Sequence, residues 1–239
     1  AKAGVAVTMM ERLVAEHAAK GGSHTLAHPL ARLLTVQYRM HEDIMDFSSA
    51  EFYESSLIAH ESVRGHLLCD LPEVEANERT NRAVTFIDTA GAGYDEEQEP
   101  DGESRFNPQE AEVAEQQAQQ LVAAGVPAKG VAVISPYAAQ VRYLRQRFRE
   151  LPELSGVEVD TIDGFQGREK EAVIISLVRS NLQGEIGFLG DVRRMNVALT
   201  RAKRKLIIIG DSATIAGHPF YGRLLEYLER RGEYRTVWE

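Results

Sequence analysis

The 239-residue sequence predicts an α/β protein with a mainly parallel sheet and helices on both faces. Three observations carry this. Short, continuous runs rich in β-branched residues recur at 84–88, 131–135, 157–161, 173–178 and 206–210. Such runs suit strands buried on both faces, where no polar side has to alternate. Amphipathic stretches with helix-capping residues separate most of them, and the segment from Val173 to Gly210 reads as a βαβ unit.

In chain order, Thr8 and Glu11 are the corners of a capping box. Met10, Leu13 and Val14 face one side, and Gly21-Gly22 stops that helix. A short strand over 30–36 then delivers Gln37, Tyr38 and Arg39 to its end, and ligand sites in open α/β sheets lie at the carboxyl ends of strands. A helix over 41–52 turns Ile44, Phe47 and Phe52 inward. Residues 53–82 lack a clear period and read as an irregular excursion. The strand 84–88 leads into a glycine turn and the acidic run 95–103, which has nothing apolar to bury and predicts a mobile surface loop.

Asn107-Pro108 opens the next helix as cap and first position, and Val113, Ala114, Ala118 and Leu121 line its inner face. After the strand 131–135 and Pro136, a helix repeats Tyr137, Val141, Leu144 and Phe148 at four, three and four, with Arg142, Arg145, Arg147 and Arg149 elsewhere. Between the last two strand runs, Val192, Met195, Leu199 and Ala202 form one apolar stripe. Arg194 and Arg201, seven apart, share another face of the same predicted helix. A closing helix over 220–232 precedes an edge strand over 233–238.

Apolar content of 44% and charged content of 26% are ordinary for a globular chain. No apolar run approaches the roughly 20 residues of a membrane span, and the start lacks a methionine and a signal-peptide core. The expectation is an excised, intracellular fragment with no membrane partner. The single Cys69 excludes an internal disulfide, and no Cys or His spacing suits a metal site. The net charge of −9 is concentrated. Residues 94–115 hold nine acids and one base, a net −8, which leaves the remainder near neutral. The window 192–205 holds six Lys or Arg and no acid, and its natural partners are anions.

A P-loop needs Gly-Lys followed by Ser or Thr. The chain has no Gly-Lys pair, so alone it is expected not to hydrolyse nucleotide, and Asp88-Thr-Ala-Gly91 only imitates a GTPase switch. Arg39 at a strand end offers a planar fork of donors suited to phosphate. Ser135 and Pro136 sit where a strand becomes a helix, and free N–H groups there attract anions. Gly164 and Gly167 open backbone conformations in a polar loop that also carries Asp163, Gln166 and Glu169.

Gly164-Phe-Gln-Gly-Arg-Glu169 and Asn196-Val-Ala-Leu-Thr-Arg-Ala-Lys203 closely resemble motifs V and VI of superfamily 1 helicases, in the Upf-like branch that includes the nonsense-mediated-decay and immunoglobulin-mu-binding helicases. Gln37-Tyr-Arg-Met-His41 resembles motif IV of that branch. The resemblance implies a RecA-like three-layer domain, the second motor domain of a 5′ to 3′ helicase, over 31–239. Residues 1–30 would be a helical remnant of the preceding region, with an irregular acidic insertion around 53–103. It implies ATP and Mg2+ bound mainly by a first RecA-like domain of the same protein, with single-stranded DNA or RNA as the other partner. Arg39 and Arg201 would be catalytic arginine fingers, with Gln37, Tyr38, Gly167 and Glu169 at the nucleotide. Ser135, Pro136, Thr161, Asp163 and Gln166 would serve the nucleic-acid surface. The competing expectation is a non-catalytic binding module, for nucleic acid or protein, on the same shell.

Overall fold

The computed structural model describes residues 34–100 and 102–239, with the backbone of 27, 28, 31 and 32. The chain divides into two compact units, 1–36 and 37–239. In the first, Ala27–His28 pairs antiparallel with Ala31–Arg32; the capping-box helix expected from Thr8 lies outside the described residues.

The second unit is built on six strands, β1 Val84–Asp88, β2 Val131–Ser135, β3 Glu158–Thr161, β4 Lys170–Ser176, β5 Ala202–Gly210 and β6 Glu233–Thr236. Their order across the sheet is β6-β1-β5-β4-β2-β3, and every neighbouring pair is parallel. Alternation along each strand feeds two separate cores. Ala132, Ile134, Val173, Ile175, Leu206 and Ile208 pack on one face with α1 (Glu42–Phe52), α4 (Val192–Leu199) and α5 (Pro219–Arg231). Val131, Val133, Ala172, Ile174, Ile207 and Ile209 pack on the other with α2 (Pro108–Ala123) and α3 (Ala138–Arg149). The four inner strands carry continuous apolar runs because neither face meets water there, whereas the edge strands β3 and β6 are only partly buried. No helix among the described residues is long and apolar enough to cross a membrane.

Two local expectations are overturned. The helix α4 ends at Leu199, with Thr200 as its cap, and β5 starts at Ala202. Ala202 therefore belongs to a strand, and Arg201 lies in the link, so it shares no helix face with Arg194. Pairing decides this, since Ala202 opposes Lys170 and Lys205 opposes Ala172 on β4; tertiary pairing overrides the helical period. The first part of the acidic run, residues 96–99, is not a loose loop either. Glu97–Gln98 pairs antiparallel with Arg105–Phe106. The Glu96 side chain is 6% exposed between Arg105, at 3.0 Å, and Arg179, at 2.7 Å. Glu99 grips Arg142 of α3. Cations from outside the run thus hold Glu96 and Glu99. Two further arginines of α3 also meet carboxylates, Arg147 on Glu115 at 2.6 Å and Arg145 on Asp160 at 3.2 Å.

Beneath the carboxyl ends of the strands, Glu110 is fully buried. Its Oε2 accepts from the Ser176 hydroxyl at 2.7 Å and the Val178 N–H at 2.8 Å. Val178 has φ 74°, a left-handed conformation rare for a β-branched residue. Burial pushes the Glu110 carboxyl up to about 8 from an ordinary 4.5, although both hydrogen bonds oppose the shift. Between those values the folded chain keeps a proton that the unfolded chain has lost, so this group makes stability fall as pH rises from 4.5 to about 8. Glu110→Gln should remove that slope. Thermal denaturation at pH 5 and pH 8 is expected to show the variant gaining about 2–4 °C or more on the wild type at the higher pH, for about 1 kcal/mol or more.

Candidate functional site

Gln37 builds the turn that presents Arg39. Its Oε1 accepts the N–H groups of Arg39 and Met40, each at 2.8 Å, and its Nε2 donates to the Met40 carbonyl at 2.8 Å. With the amide committed to the backbone, Gln37 shapes the turn and has little left for a ligand. The His41 N–H donates to the Lys203 carbonyl at 2.8 Å, which fastens the turn to β5. Tyr38 is 66% exposed, and its ring stacks on His60 with centroids 4.4 Å apart.

The Arg39 turn meets the amino edge of the sheet. This corrects the expectation of a carboxyl-end position. Gln37 belongs to a two-residue strand outside the main sheet, and Arg39 reaches the links that lead into β4 and β5. Its Nε donates to Glu169 Oε2, and its Nη1 donates to the Thr200 carbonyl at 3.2 Å. Lys203 Nζ lies 3.2 Å from the second Glu169 oxygen. Burial works against the Glu169 carboxylate, but hydrogen bonds and charge from Arg39 and Lys203 outweigh it and hold the carboxyl below its usual range.

Arg201 is placed by its own backbone surroundings. Nε donates to the Val197 carbonyl at 3.0 Å and Nη1 to the Arg168 carbonyl at 3.2 Å. Among the described residues it has no carboxylate partner in an ion pair. Burial first, and the positive charge of Arg39 second, draw its pKa down, with Glu169 offsetting them. The two guanidinium groups thus feel each other around one carboxylate. Arg39 and Glu169 keep 37% and 39% of their side chains exposed, so the cluster opens to solvent.

The loop 162–169 leaves the carboxyl end of β3 and returns to the amino end of β4, spanning the sheet height of roughly 15 Å. Ile162 and Phe165, 4% and 0% exposed, pin it to the core. The Gly164 N–H donates to Thr161 Oγ1 at 3.1 Å, and a Cβ at 164 would lie 2.4 Å from Asp160 Oδ1. Gly167 takes φ +84° with open space around it. Each glycine therefore has its own reason, close approach for one and backbone conformation for the other. Gln166 stands exposed beside Gly167.

At the carboxyl edge, Pro136, Thr161 and Asp163 line a small pocket with Phe188, Asp191 and Arg194. Arg194 lies 3.3 Å from Asp163 and 3.5 Å from Asp191. Phe188 is 57% exposed and leans on Tyr137, with centroids 5.3 Å apart. Ser135 is fully buried, and its hydroxyl accepts the Tyr137 N–H at 3.3 Å, so its side chain does not reach this surface. The structure thus brings Arg39, Arg201, Gly167 and Glu169 to one edge and Pro136, Thr161 and Asp163 to the other. Sequence reasoning missed Lys203 as a partner of Glu169, although it lies inside a quoted motif. It also missed Phe188, for which no sequence signal existed.

A six-stranded parallel sheet with helices on both faces defines a three-layer α/β domain. A family model described as "AAA domain" matches residues 5–213; the chain belongs to that family, as a C-terminal RecA-like domain of the Upf-like branch of superfamily 1 helicases. It is 48% identical over 240 residues to "DNA-binding protein SMUBP-2" of Mesocricetus auratus, covering 100% of this chain and 23% of that protein. "DNA polymerase alpha-associated DNA helicase A" of Schizosaccharomyces pombe is 43% identical over 82% of this chain and 30% of its own length. "Regulator of nonsense transcripts 1 homolog" of Drosophila melanogaster is 37% identical over 83% of this chain and 17% of its own length. The chain thus spans less than a third of each of these relatives.

Proposed function

We propose that this chain is the second motor domain of an ATP-dependent helicase acting 5′ to 3′ on single-stranded DNA or RNA inside the cell. Residues 31–239 form the domain, and 1–30 connect it to a first RecA-like domain whose P-loop holds ATP. The observation that carries the reading is the convergence of Arg39 and Arg201 on one solvent-open mouth beside Glu169.

A triphosphate offers these guanidinium groups more negative charge than one carboxylate does. When the two domains close, Arg39 and Arg201 stabilise charge on the transferring phosphoryl group, as arginine fingers do. Glu169, already bracketed by Arg39 and Lys203, sits where it can hand Arg39 over. Gly167 leaves room for the phosphate end, and the exposed Tyr38 ring suits stacking on adenine. Mg2+ would neutralise phosphate charge from the first domain, because Glu169 and the neighbouring Glu171 are already committed to cations. Pro136, Thr161, Asp163 and Gln166 contact the strand, and the pinned loop 162–169 carries its presence to the nucleotide edge.

The test is ATP turnover by the complete protein with and without a saturating single strand. Turnover that rises with the strand, and is absent from residues 1–239 alone, is expected. Turnover indifferent to the strand, or hydrolysis by this piece alone, sinks the proposal.

A further inference from the structure

Lys205 is a cation that the motor reading does not use. Its neighbours Lys203 and Arg204 meet Glu171 at 3.4 and 2.9 Å, whereas Lys205 turns to the α2 face of the sheet and is 1% exposed. Its Nζ donates to Thr85 Oγ1 at 2.6 Å, and that hydroxyl donates onward to Glu233 Oε2 at 3.0 Å. An ammonium carries three donors, and among the described residues only Thr85 accepts one.

The amine borders a cavity of about 160 Å³ between α2 and the β6 edge, which Arg79, Arg235 and Gln116 also line. Arg79 is held by Gln120 at 2.8 Å, and Arg235 by Glu233 and by Glu78 at 3.3 Å. The charges that act on Lys205 are lopsided. Glu233 favours its ammonium form, while Arg235, Arg79 and Arg82 oppose it. From α2 the cavity receives only Val113 and glutamine side chains, and the remaining acid in its wall is Glu239. A buried, under-bonded ammonium facing two guanidinium groups across an open space is an incomplete charge arrangement.

We propose that this cavity is a binding site for a small tetrahedral oxyanion of the sulfate or phosphate class, held by Lys205 together with Arg79 and Arg235. The space suits such an ion with a few waters, each taking about 30 Å³. The site lies on the opposite face of the sheet from α1 and the Arg39 turn, and does not depend on the motor reading. Burial lowers the Lys205 amine to about 7. An anion that prefers the ammonium must raise that value, and must bind more weakly as the amine loses its proton.

Sulfate is the probe, because its own charge is constant over the relevant pH range. The 239-residue chain, labelled with 15N, is titrated with sodium sulfate at constant ionic strength, with chloride as the balancing salt. Saturable shifts of the Arg79 and Arg235 Nε–H signals are expected, with binding about tenfold or more weaker at pH 8.5 than at pH 6. The Lys205 Nζ titration should move to higher pH with sulfate present. Lys205→Gln should weaken binding about tenfold or more. Non-saturating shifts, shifts confined to Arg39 and Arg201, or affinity unchanged in Lys205→Gln overturn the proposal. If Lys205→Gln does not fold, the wild-type Lys205 titration decides alone, and a curve that sulfate leaves unmoved rejects the site.

Discussion

Arg201→Ala in the complete protein is expected to lower ATP turnover by about 10³- to 10⁵-fold while single-strand binding stays measurable. The magnitude follows from where the guanidinium sits. Two of its N–H groups are fixed by the Val197 and Arg168 carbonyls, which aims the group without neutralising it. Burial and the neighbouring Arg39 both press against its charge, so an entering phosphate relieves a tension already built into the fold. Arg201→Lys should not restore turnover, because a lysine keeps the charge but cannot hold two carbonyls and still face a phosphate as a planar fork. Steady-state hydrolysis and a strand titration on the same preparations check both statements. Turnover at wild-type level in Arg201→Ala removes the finger from the mechanism.

Phe165→Ala should be the most damaging change in the loop 162–169, although Phe165 touches neither proposed ligand. Its ring is fully buried, and its deletion is expected to cost about 3–5 kcal/mol. The functional effect comes from the path it enforces. Thr161 and Asp163 stand at one edge of the sheet and Glu169 at the other, and Ile162 with Phe165 hold the intervening backbone against the core. Without the ring, strand occupancy at the first end no longer sets the position of Glu169 and Arg39 at the second. Strand stimulation of hydrolysis should fall toward the basal rate, even under conditions where the variant is folded. Phe165→Leu, which keeps most of the apolar volume, should retain the fold and part of the stimulation. Chemical denaturation and the ratio of stimulated to basal turnover measure the two effects. A loss under about 1 kcal/mol or an unchanged ratio in Phe165→Ala contradicts the account.

Four strand runs were legible because burial on both faces leaves an unbroken apolar signature, and the structure has a strand at each of the five predicted places, with β4 running from Lys170 to Ser176 and β5 starting at Ala202. The closing edge strand at Glu233–Thr236 is also present. The start of β5 was not legible. Lys203, Arg204 and Lys205 continue the basic character of α4, and only the partner strand β4 converts them to extended chain. The acidic run misled for a similar reason, since nothing local indicates that Glu96 will be enclosed by Arg105 and Arg179. Gln37 was legible as part of a motif and not as the builder of its turn.

The order of amino acids by itself determined the layered α/β class, the identity of the two arginines and the glycines of the loop that joins the two edges of the sheet. These are properties of period, composition and short motifs, which survive in one dimension. Only the tertiary structure decided that Arg39 and Arg201, 162 positions apart, meet at the amino edge, where Arg39 alone of the two pairs with Glu169, that Ser135 turns inward, and that Lys205 faces a cavity instead of joining its basic neighbours. Charge, exposure and hydrogen-bond partners depend on residues brought together from distant strands, and no local pattern carries that information.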